Sequence, residues 1–198
     1  MLSKTEKLEQ LSKVDVLPAM PLNAKRIWTI TKAGKIASMQ YAAPELTGAE
    51  IFSYICGDGP IYEQIDNWEA EIVNSGPTHQ VLVAKQKQKG SVQGVVVPRI
   101  IDGERYITNL YVAKAAQGLG IGPMLLQAGM AWHHYEPMSL TVTANNPAQH
   151  MYADHAFSVV EQFPSHAING KIVERQKMQF AGLAALSENW AQRDELGC

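Results

Sequence analysis

A run of alternating glycines constrains this sequence most, because it joins a strand-like segment to a helix-like segment. The run QGLGIG extends from Gln117 to Gly122, after a strand pattern over residues 106–112 and before a helix pattern over residues 121–132. Glycine has no Cβ, so the backbone N–H groups at this junction can approach an anion closely. The helix dipole adds ~0.3–1 kcal/mol for a well-placed negative charge. The junction therefore predicts a phosphate-binding loop.

Two common nucleotide-binding patterns do not fit this loop. A P-loop requires Lys-Ser or Lys-Thr after its glycines, and neither follows Gly122. A dinucleotide-binding loop has the spacing GxGxxG, with an acidic residue about 20 positions further on that binds a ribose. Here the spacing is GxGxG, and the apolar strand pattern around Val142 occupies the place of the acid. The pattern that remains is QxxGxG.

A second motif follows, after a β-branched segment at residues 139–143. Residues 145–152 read NNPAQHMY, and Ala156-Phe157 comes shortly after them. In this order and at this distance, the two motifs resemble the signatures of the GNAT superfamily of acyl-CoA-dependent N-acetyltransferases. The resemblance covers residues 80–180, whereas residues 1–75 are similar only in general layout. Ala156 stands where the family motif usually has glycine.

Length and composition exclude several other classes of protein. A chain of 198 residues is one domain, or one domain with extensions. A net charge of −2 argues against a general nucleic-acid binder. No apolar run reaches the ~18 residues of a membrane span, and no apolar signal core follows the amino terminus. We therefore expect a cytoplasmic protein, with Cys56 and Cys198 as free thiols.

The pattern of apolar residues and turn signals predicts the order α-β-α-α-β-β-β-α-β-α-β-β. Its first elements are a helix in residues 2–14, a linker at the prolines that follow, and a strand over residues 25–32. A capping box at Thr47 and Glu50 begins the next helix, and Asn169-Gly170 closes the last hairpin. This order describes an α/β protein with the three-layer α/β/α GNAT-like fold, which has a mixed, mostly antiparallel central sheet.

We predict three parts of the chain from these elements. Residues 1–24 form an amino-terminal helical extension and linker, residues 25–180 form the GNAT-like acetyltransferase domain, and residues 181–198 form a helical tail. The two terminal segments could mediate a homodimer or could cover the core of the domain.

The resemblance implies acetyl-CoA (coenzyme A) as the cosubstrate. In the family, loop amides bind the pyrophosphate, and the preceding strand pairs with the pantetheine arm as if that arm were an added strand. The residues that this implies for cofactor binding are Leu110, Tyr111, Val112, Gln117, Gly118, Leu119, Gly120, Ile121, Gly122, Asn145, Ala148 and Tyr152. We expect no metal, because the histidines of the chain lack a ligand spacing.

The resemblance also implies a catalytic acid but leaves the base open. Tyr152 would protonate the departing thiolate, which is worth typically ~10²–10⁴-fold in rate. Many family members have Glu four residues before the position of Leu110, where this chain has Tyr106. Glu104, one pleat step earlier on the same face, is one possible substitute, and a water chain is the other. If there is no base, the alternative function is a non-catalytic acyl-CoA-binding regulatory module.

The charge pattern gives a hypothesis about the acceptor. Between Lys35 and Lys85 the chain has no Lys or Arg, and the family places this region beside the acceptor groove. It contains seven acidic residues: Glu45, Glu50, Asp58, Glu63, Asp66, Glu69 and Glu71. Concentrated negative charge would favour a small cationic amine or a peptide amine as the acceptor. Alternatively, these acids only form a solvated helix face.

Overall fold

The computed structural model describes residues 3–57 and 60–183, and its strands form one sheet of seven. The strands are β1 (Val14–Pro18), β2 (Leu82–Gln86), β3 (Val92–Ile101), β4 (Glu104–Val112), β5 (Met138–Thr143), β6 (Phe157–Ile168) and β7 (Lys171–Phe180). Their spatial order is β1-β2-β3-β4-β5-β7-β6. Only β4 and β5 are parallel neighbours, and the other pairs are antiparallel. The predicted mixed, mostly antiparallel sheet is therefore confirmed.

Helices cover both faces of this sheet. They are α1 (Lys4–Ser12), α2 (Ala24–Ala42), α3 (Gly48–Cys56), α4 (Ile61–Val73), α5 (Ile121–Trp132) and α6 (Ala148–Asp154). Leu125 of α5 belongs to a core on one face, and Ile27 of α2 and Trp68 of α4 belong to a core on the other face. Successive strand residues serve both cores, since Leu82 contacts the first and Val83 the second. The three-layer α/β/α arrangement follows.

Several helices and turns lie where local features of the sequence predict them. The helix after the glycines spans residues 121–132, as its apolar spacing indicates. At the start of α3, the Glu50 N–H donates to the Thr47 hydroxyl, and the Thr47 N–H donates to the Glu50 carboxylate. Between β6 and β7, Asn169 and Gly170 have φ angles of 49° and 78°, which a two-residue hairpin turn requires.

The strand predicted over residues 25–32 is wrong, because this segment lies within α2. Ala24, Ile27, Trp28 and Thr31 are buried at spacings of three and one, whereas Thr29 is exposed. The β-branched residues favour a strand by composition. The burial of one continuous helix face against the sheet outweighs that weak preference.

The linker predicted before residue 25 is also partly wrong, because β1 lies in it. Each residue from Val14 to Pro18 pairs with β2, and Val14 and Val16 pack against the core. Pro18 ends this edge strand, a position where a missing N–H is tolerated. The helix predicted for residues 181–198 falls largely outside the described residues, and the division into domains stays a prediction.

No helix within the described ranges combines the length and the apolar character needed to cross a membrane. The thiol of Cys56 is free and buried at the end of α3.

Candidate active site

The two parallel strands at the centre of the sheet separate and create the main cavity. β4 and β5 are in register only at Tyr106–Ser139 and Ile107–Leu140. Beyond these pairs β4 contains a bulge, where the register with β3 shifts and Asn109 has a φ of 50°. A bulge increases the local twist and bends its strand. The carboxyl-terminal half of β4 therefore has an edge that β5 does not pair.

A cavity of about 910 Å³ opens at this separation. Its walls come from α2, β4, the loop of residues 117–122 (the glycine loop), the end of β5, α6 and one residue of β7. The residues predicted for cofactor binding that line it are Leu110, Tyr111, Val112, Gln117, Gly118, Gly120, Gly122, Ala148 and Tyr152. The fold thus brings most residues of the two sequence motifs to one cavity, although about one helix and one strand separate the motifs in the chain.

The glycine loop presents free backbone amides to this cavity. Gly118 and Gly120 have φ angles of 74° and 89°, which non-glycine residues rarely adopt, and α5 begins at the next residue. Within the described residues, no hydrogen bond uses the N–H of Gly118, Gly120 or Gly122. The side chains of Leu119 and Ile121 pack into the core, so that these two residues can offer only their main chain. The arrangement is that of an anion site at a helix amino terminus.

Gln117 connects the loop to β4. Its side-chain Nε2 donates to the carbonyl oxygen of Val112 at 3.1 Å. One acceptor on the free edge of β4 is therefore already used by the protein, and Gln117 fixes the distance between that edge and the loop. A ligand that binds both would meet a prearranged surface.

Two tyrosines line the cavity, the buried Tyr152 and the half-buried Tyr111. Tyr152 is 7% exposed, and its ring lies edge-on to Phe157 with the centroids 6.2 Å apart. Burial raises the pKa of Tyr152 well above its usual range, and the neighbouring Tyr111 raises it further. Burial also raises the pKa of Tyr111 to about 12, an effect that the nearby Arg175 partly opposes. Both phenols are therefore protonated at neutral pH and can donate hydrogen bonds.

Gly34 of α2, which the sequence analysis did not single out, allows Tyr111 to take this position. A Cβ on Gly34 would lie 2.2 Å from Cδ1 of Tyr111. Any larger residue at this position would displace the ring. No sequence signal marks Gly34, because a lone glycine becomes informative only when its helix and its neighbour are known.

The structure gives the two adjacent asparagines different positions. Asn145, predicted to contact the cofactor, is exposed, has a φ of 59° and does not line the cavity. Asn146 lines the cavity instead, and its Oδ1 accepts from the N–H of Ala148 at 2.9 Å. Its Nδ2 donates to the hydroxyl of Ser38 at 3.0 Å and lies 3.4 Å from that of Thr143. Asn146 thus joins α2, β5 and α6 at one point.

The two candidates for the base also differ in position. Glu104 is exposed at the start of β4 and does not line the cavity. Tyr106 does line it, and its carbonyl oxygen lies 3.0 Å from Nε2 of the buried His133, whose pKa is lowered by burial. Among the described residues, no carboxylate lines the cavity, and its charged side chains are Lys35 and Arg175.

The acidic residues between Lys35 and Lys85 lie elsewhere. Asp58 is outside the described residues, and none of the other six lines the cavity. Glu50 serves the cap of α3, and Glu71 pairs with Arg99. The remaining four are exposed: Glu45, Glu63, Asp66 and Glu69. The described acids therefore give no support to the prediction of a cationic acceptor.

One family model matches the central part of the sequence. Residues 77–159 match the family model of the acetyltransferase (GNAT) domain. This segment contains β4, the glycine loop, β5 and α6, which form most of the cavity wall, whereas α2 and β7 lie outside it. This match confirms the resemblance to the GNAT acetyltransferases over the segment that contains both sequence motifs. No curated protein matches the sequence.

Solved structures support the same fold. A spermidine N-acetyltransferase from Vibrio cholerae, in complex with CoA and spermine, is 15% identical with a TM-score of 0.63, over 88% of this chain and 99% of that chain. The putative acetyltransferase YncA from Salmonella typhimurium, with its cofactor acetyl-CoA, is 18% identical with a TM-score of 0.61, over 85% and 93%. PaiA N-acetyltransferase from Thermoplasma acidophilum, in complex with coenzyme A, is 17% identical with a TM-score of 0.59, over 83% and 98%. These likenesses confirm the GNAT-like fold.

Proposed function

We propose that this protein transfers an acetyl group from acetyl-CoA to a primary amine, by direct transfer in a ternary complex. The observation that carries the proposal is the convergence of three features on one cavity. They are the free amides of the glycine loop, the unpaired edge of β4 and the buried phenol of Tyr152. Structural neighbours with bound CoA or acetyl-CoA support the choice of cosubstrate.

Each feature matches one part of that cosubstrate. The amides of Gly118, Gly120 and Gly122 would bind the diphosphate, where the dipole of α5 favours negative charge. The free edge of β4, from Leu110 to Val112, would pair with the amides of the pantetheine arm. A main-chain N–H on that edge would donate to the thioester oxygen, an interaction worth several kcal/mol when it is stronger in the transition state.

Acetyl transfer then needs two proton movements. The nitrogen of the amine forms a bond with the thioester carbonyl carbon, and the carbon–sulfur bond breaks. Tyr152 would donate its proton to the departing sulfur, since burial keeps the phenol protonated beforehand. Water in the cavity would accept the proton that the amine loses and return a proton to Tyr152, because no described carboxylate lines the cavity.

The same observation keeps a second function open. A cavity that holds CoA without a base could serve as an acyl-CoA-binding regulatory module. The two functions differ in turnover. We expect purified protein to release free thiol from acetyl-CoA only when an amine is added, and mass spectrometry to find the acetylated amine. Binding of CoA without amine-dependent thiol release, across a broad panel of amines, would instead support the module.

The predicted cytoplasmic location belongs to this proposal as well. The free thiol of Cys56 is consistent with a reducing compartment. Homodimer formation stays a prediction, and size-exclusion chromatography with light scattering would test it.

A further inference from the structure

A smaller cavity of about 420 Å³ continues the main one on the side of α2 and α3. It is lined by Lys35, Ser38, Met39, Tyr54, Ile55, Tyr111, Thr143 and Arg175. Five of these eight residues also line the main cavity, so that the two spaces meet around Tyr111. None of the eight belongs to the glycine loop. The smaller cavity therefore lies on the side where an acceptor can approach without crossing the diphosphate site.

The described residues that line this cavity give it a positive charge, with no acidic side chain among them. Lys35 of α2 and Arg175 of β7 both line it, and no carboxylate of the described residues forms an ion pair with either. The Nε of Arg175 is buried and has no hydrogen-bond partner in the described part of the chain. Burial lowers the pKa of Lys35, and the neighbouring Arg175 lowers it further. Two half-buried cations that line one cavity are unfavourable unless an anion joins them.

The backbone holds these two cations in place from opposite walls. Arg175 lies opposite Thr143 in the pairing of β5 with β7. Thr143 donates its hydroxyl proton to the carbonyl of Ser38 on α2, three residues after Lys35. The hydroxyl oxygen of Thr143 also lies 2.7 Å from the hydroxyl oxygen of Ser38. This junction fixes α2 against the sheet, so the positive charge is a built feature of the cavity.

We propose that Lys35 and Arg175 bind an anionic group of the acceptor, so that the preferred substrate is a primary amine that carries a carboxylate or phosphonate. The inference rests on the proposed function and specifies its acceptor class. Arg175 would donate its orphaned Nε–H to the anion, and Lys35 would neutralise the remaining charge. Met39 and Ile55 would contact the apolar part of the acceptor. Cationic polyamines would be disfavoured.

The first test compares matched acceptors in the thiol-release assay. The rate with glycine, alanine, methionine or phenylalanine is compared with the rate for the carboxamide of the same amino acid. Aminomethylphosphonate and spermidine complete the panel. We expect a carboxylate to raise kcat/KM by at least about tenfold over the amide, as a charge-assisted hydrogen bond does. Equal rates for acids and amides, or a preference for spermidine, would overturn the proposal.

Variants then assign the effect to the cavity. Arg175→Gln should remove the advantage of the carboxylate, mostly through KM, while Arg175→Lys should restore part of it. Lys35→Gln should act in the same direction. Lys25→Gln is the matched control, since Lys25 lies on the same helix but is exposed and outside both cavities. The urea unfolding midpoint of Arg175→Gln should not fall, because the substitution removes a buried Nε–H that has no hydrogen-bond partner among the described residues. A large fall with unchanged acceptor preference would instead indicate a structural role for Arg175.

A binding experiment separates this proposal from the proposed function. Calorimetry would measure the N-acetyl forms of glycine, alanine, methionine and phenylalanine, each against its N-acetyl carboxamide. We expect the acids to bind more tightly than the amides, and the difference to vanish in Arg175→Gln. If that preference appears without any amine-dependent turnover, the acetyltransferase proposal fails and the anion site stands. If acids and amides bind alike, the anion site fails whatever the turnover.

Discussion

At the scale of single residues, burial decides which chemistry the tyrosines can perform. A phenol exposed to water titrates near pH ~10, whereas burial raises the pKa of Tyr111 to about 12 and that of Tyr152 further still. Such groups are poor bases at neutral pH. They can donate a proton, and Tyr152, on α6, is the residue that we propose as the donor to the departing thiolate.

Replacement of the Tyr152 hydroxyl should therefore separate binding from chemistry. We expect Tyr152→Phe to lower kcat by roughly 10²–10⁴-fold, because the proton donor is lost, and to leave CoA affinity nearly unchanged. Steady-state kinetics and calorimetry would measure the two effects. Tyr62→Phe is a matched control, since Tyr62 is exposed on α4 and does not line the cavity. An unchanged kcat in Tyr152→Phe would remove its role as the acid.

The residues that the sequence identified were those with a fixed place in a motif. Tyr152 and the glycines could be predicted because local spacing relates them to one another. Lys35 and Arg175 could not, because they are 140 positions apart and meet only through the packing of α2 on β7. The strand predicted over residues 25–32 also hid the helix face that carries Lys35.

At the scale of elements, the junction of α2, β5 and α6 depends on one side-chain amide. Asn146 makes hydrogen bonds to Ala148 and Ser38 and lies near Thr143. We expect Asn146→Ala to lower the free energy of unfolding by about 1–3 kcal/mol, because it leaves part-buried partners unsatisfied, and to raise KM for acetyl-CoA. Urea unfolding and kinetics would measure both.

The adjacent residue supplies the control for that experiment. Asn145 is exposed and has a positive φ, which glycine adopts without strain. Asn145→Gly should therefore change the free energy of unfolding by less than about 0.5 kcal/mol. A larger effect from Asn145→Gly than from Asn146→Ala would contradict the assignment of the junction to Asn146.

The cap of α3 makes the stability of the protein dependent on pH. Hydrogen bonds from the Thr47 backbone, the Asn169 side chain and the Thr47 hydroxyl lower the pKa of Glu50 from 4.5 to about 2. A carboxylate with a lowered pKa stabilises the folded state above its ordinary pKa, and this contribution is lost as the pH falls through the lowered value.

We therefore expect Glu50→Gln to have a lower urea midpoint than the wild type at neutral pH. The difference should narrow below pH 4.5 and disappear near pH 2. Glu69→Gln is the control, because Glu69 is exposed on α4 and accepts no hydrogen bond from the described residues. A difference that stays constant with pH would show that the charge of Glu50 does not act through the cap.

Local signals also decided which elements could be predicted. α5 has a glycine start, a proline near its first turn and a long apolar face, and its predicted bounds are correct. β1 has only five residues and is an edge strand, so its alternation is too short to distinguish it from a linker. α2 is rich in β-branched residues, and only its packing against the sheet explains its helical state.

At the scale of the whole molecule, the sheet consists of two parts that meet at β4 and β5. Their register is limited to two residue pairs, and the cavity begins where that pairing ends. A ligand that binds β4 and the glycine loop would replace the contacts that the separated strands lack. Ligand binding should therefore stabilise the fold by mass action, about 2.7 kcal/mol at 100 times the dissociation constant.

Calorimetry with CoA and with pantetheine tests the central claim, the binding of a diphosphate by the free amides of the glycine loop. Pantetheine has the arm that pairs with β4 but lacks the diphosphate. We predict that CoA binds with a dissociation constant of about 1 μM to 1 mM, the range in which the KM values of enzymes usually fall. Pantetheine should bind at least about tenfold more weakly, because it gains nothing from the loop amides and the dipole of α5. No measurable affinity for CoA, or equal affinities for the two compounds, would contradict the account.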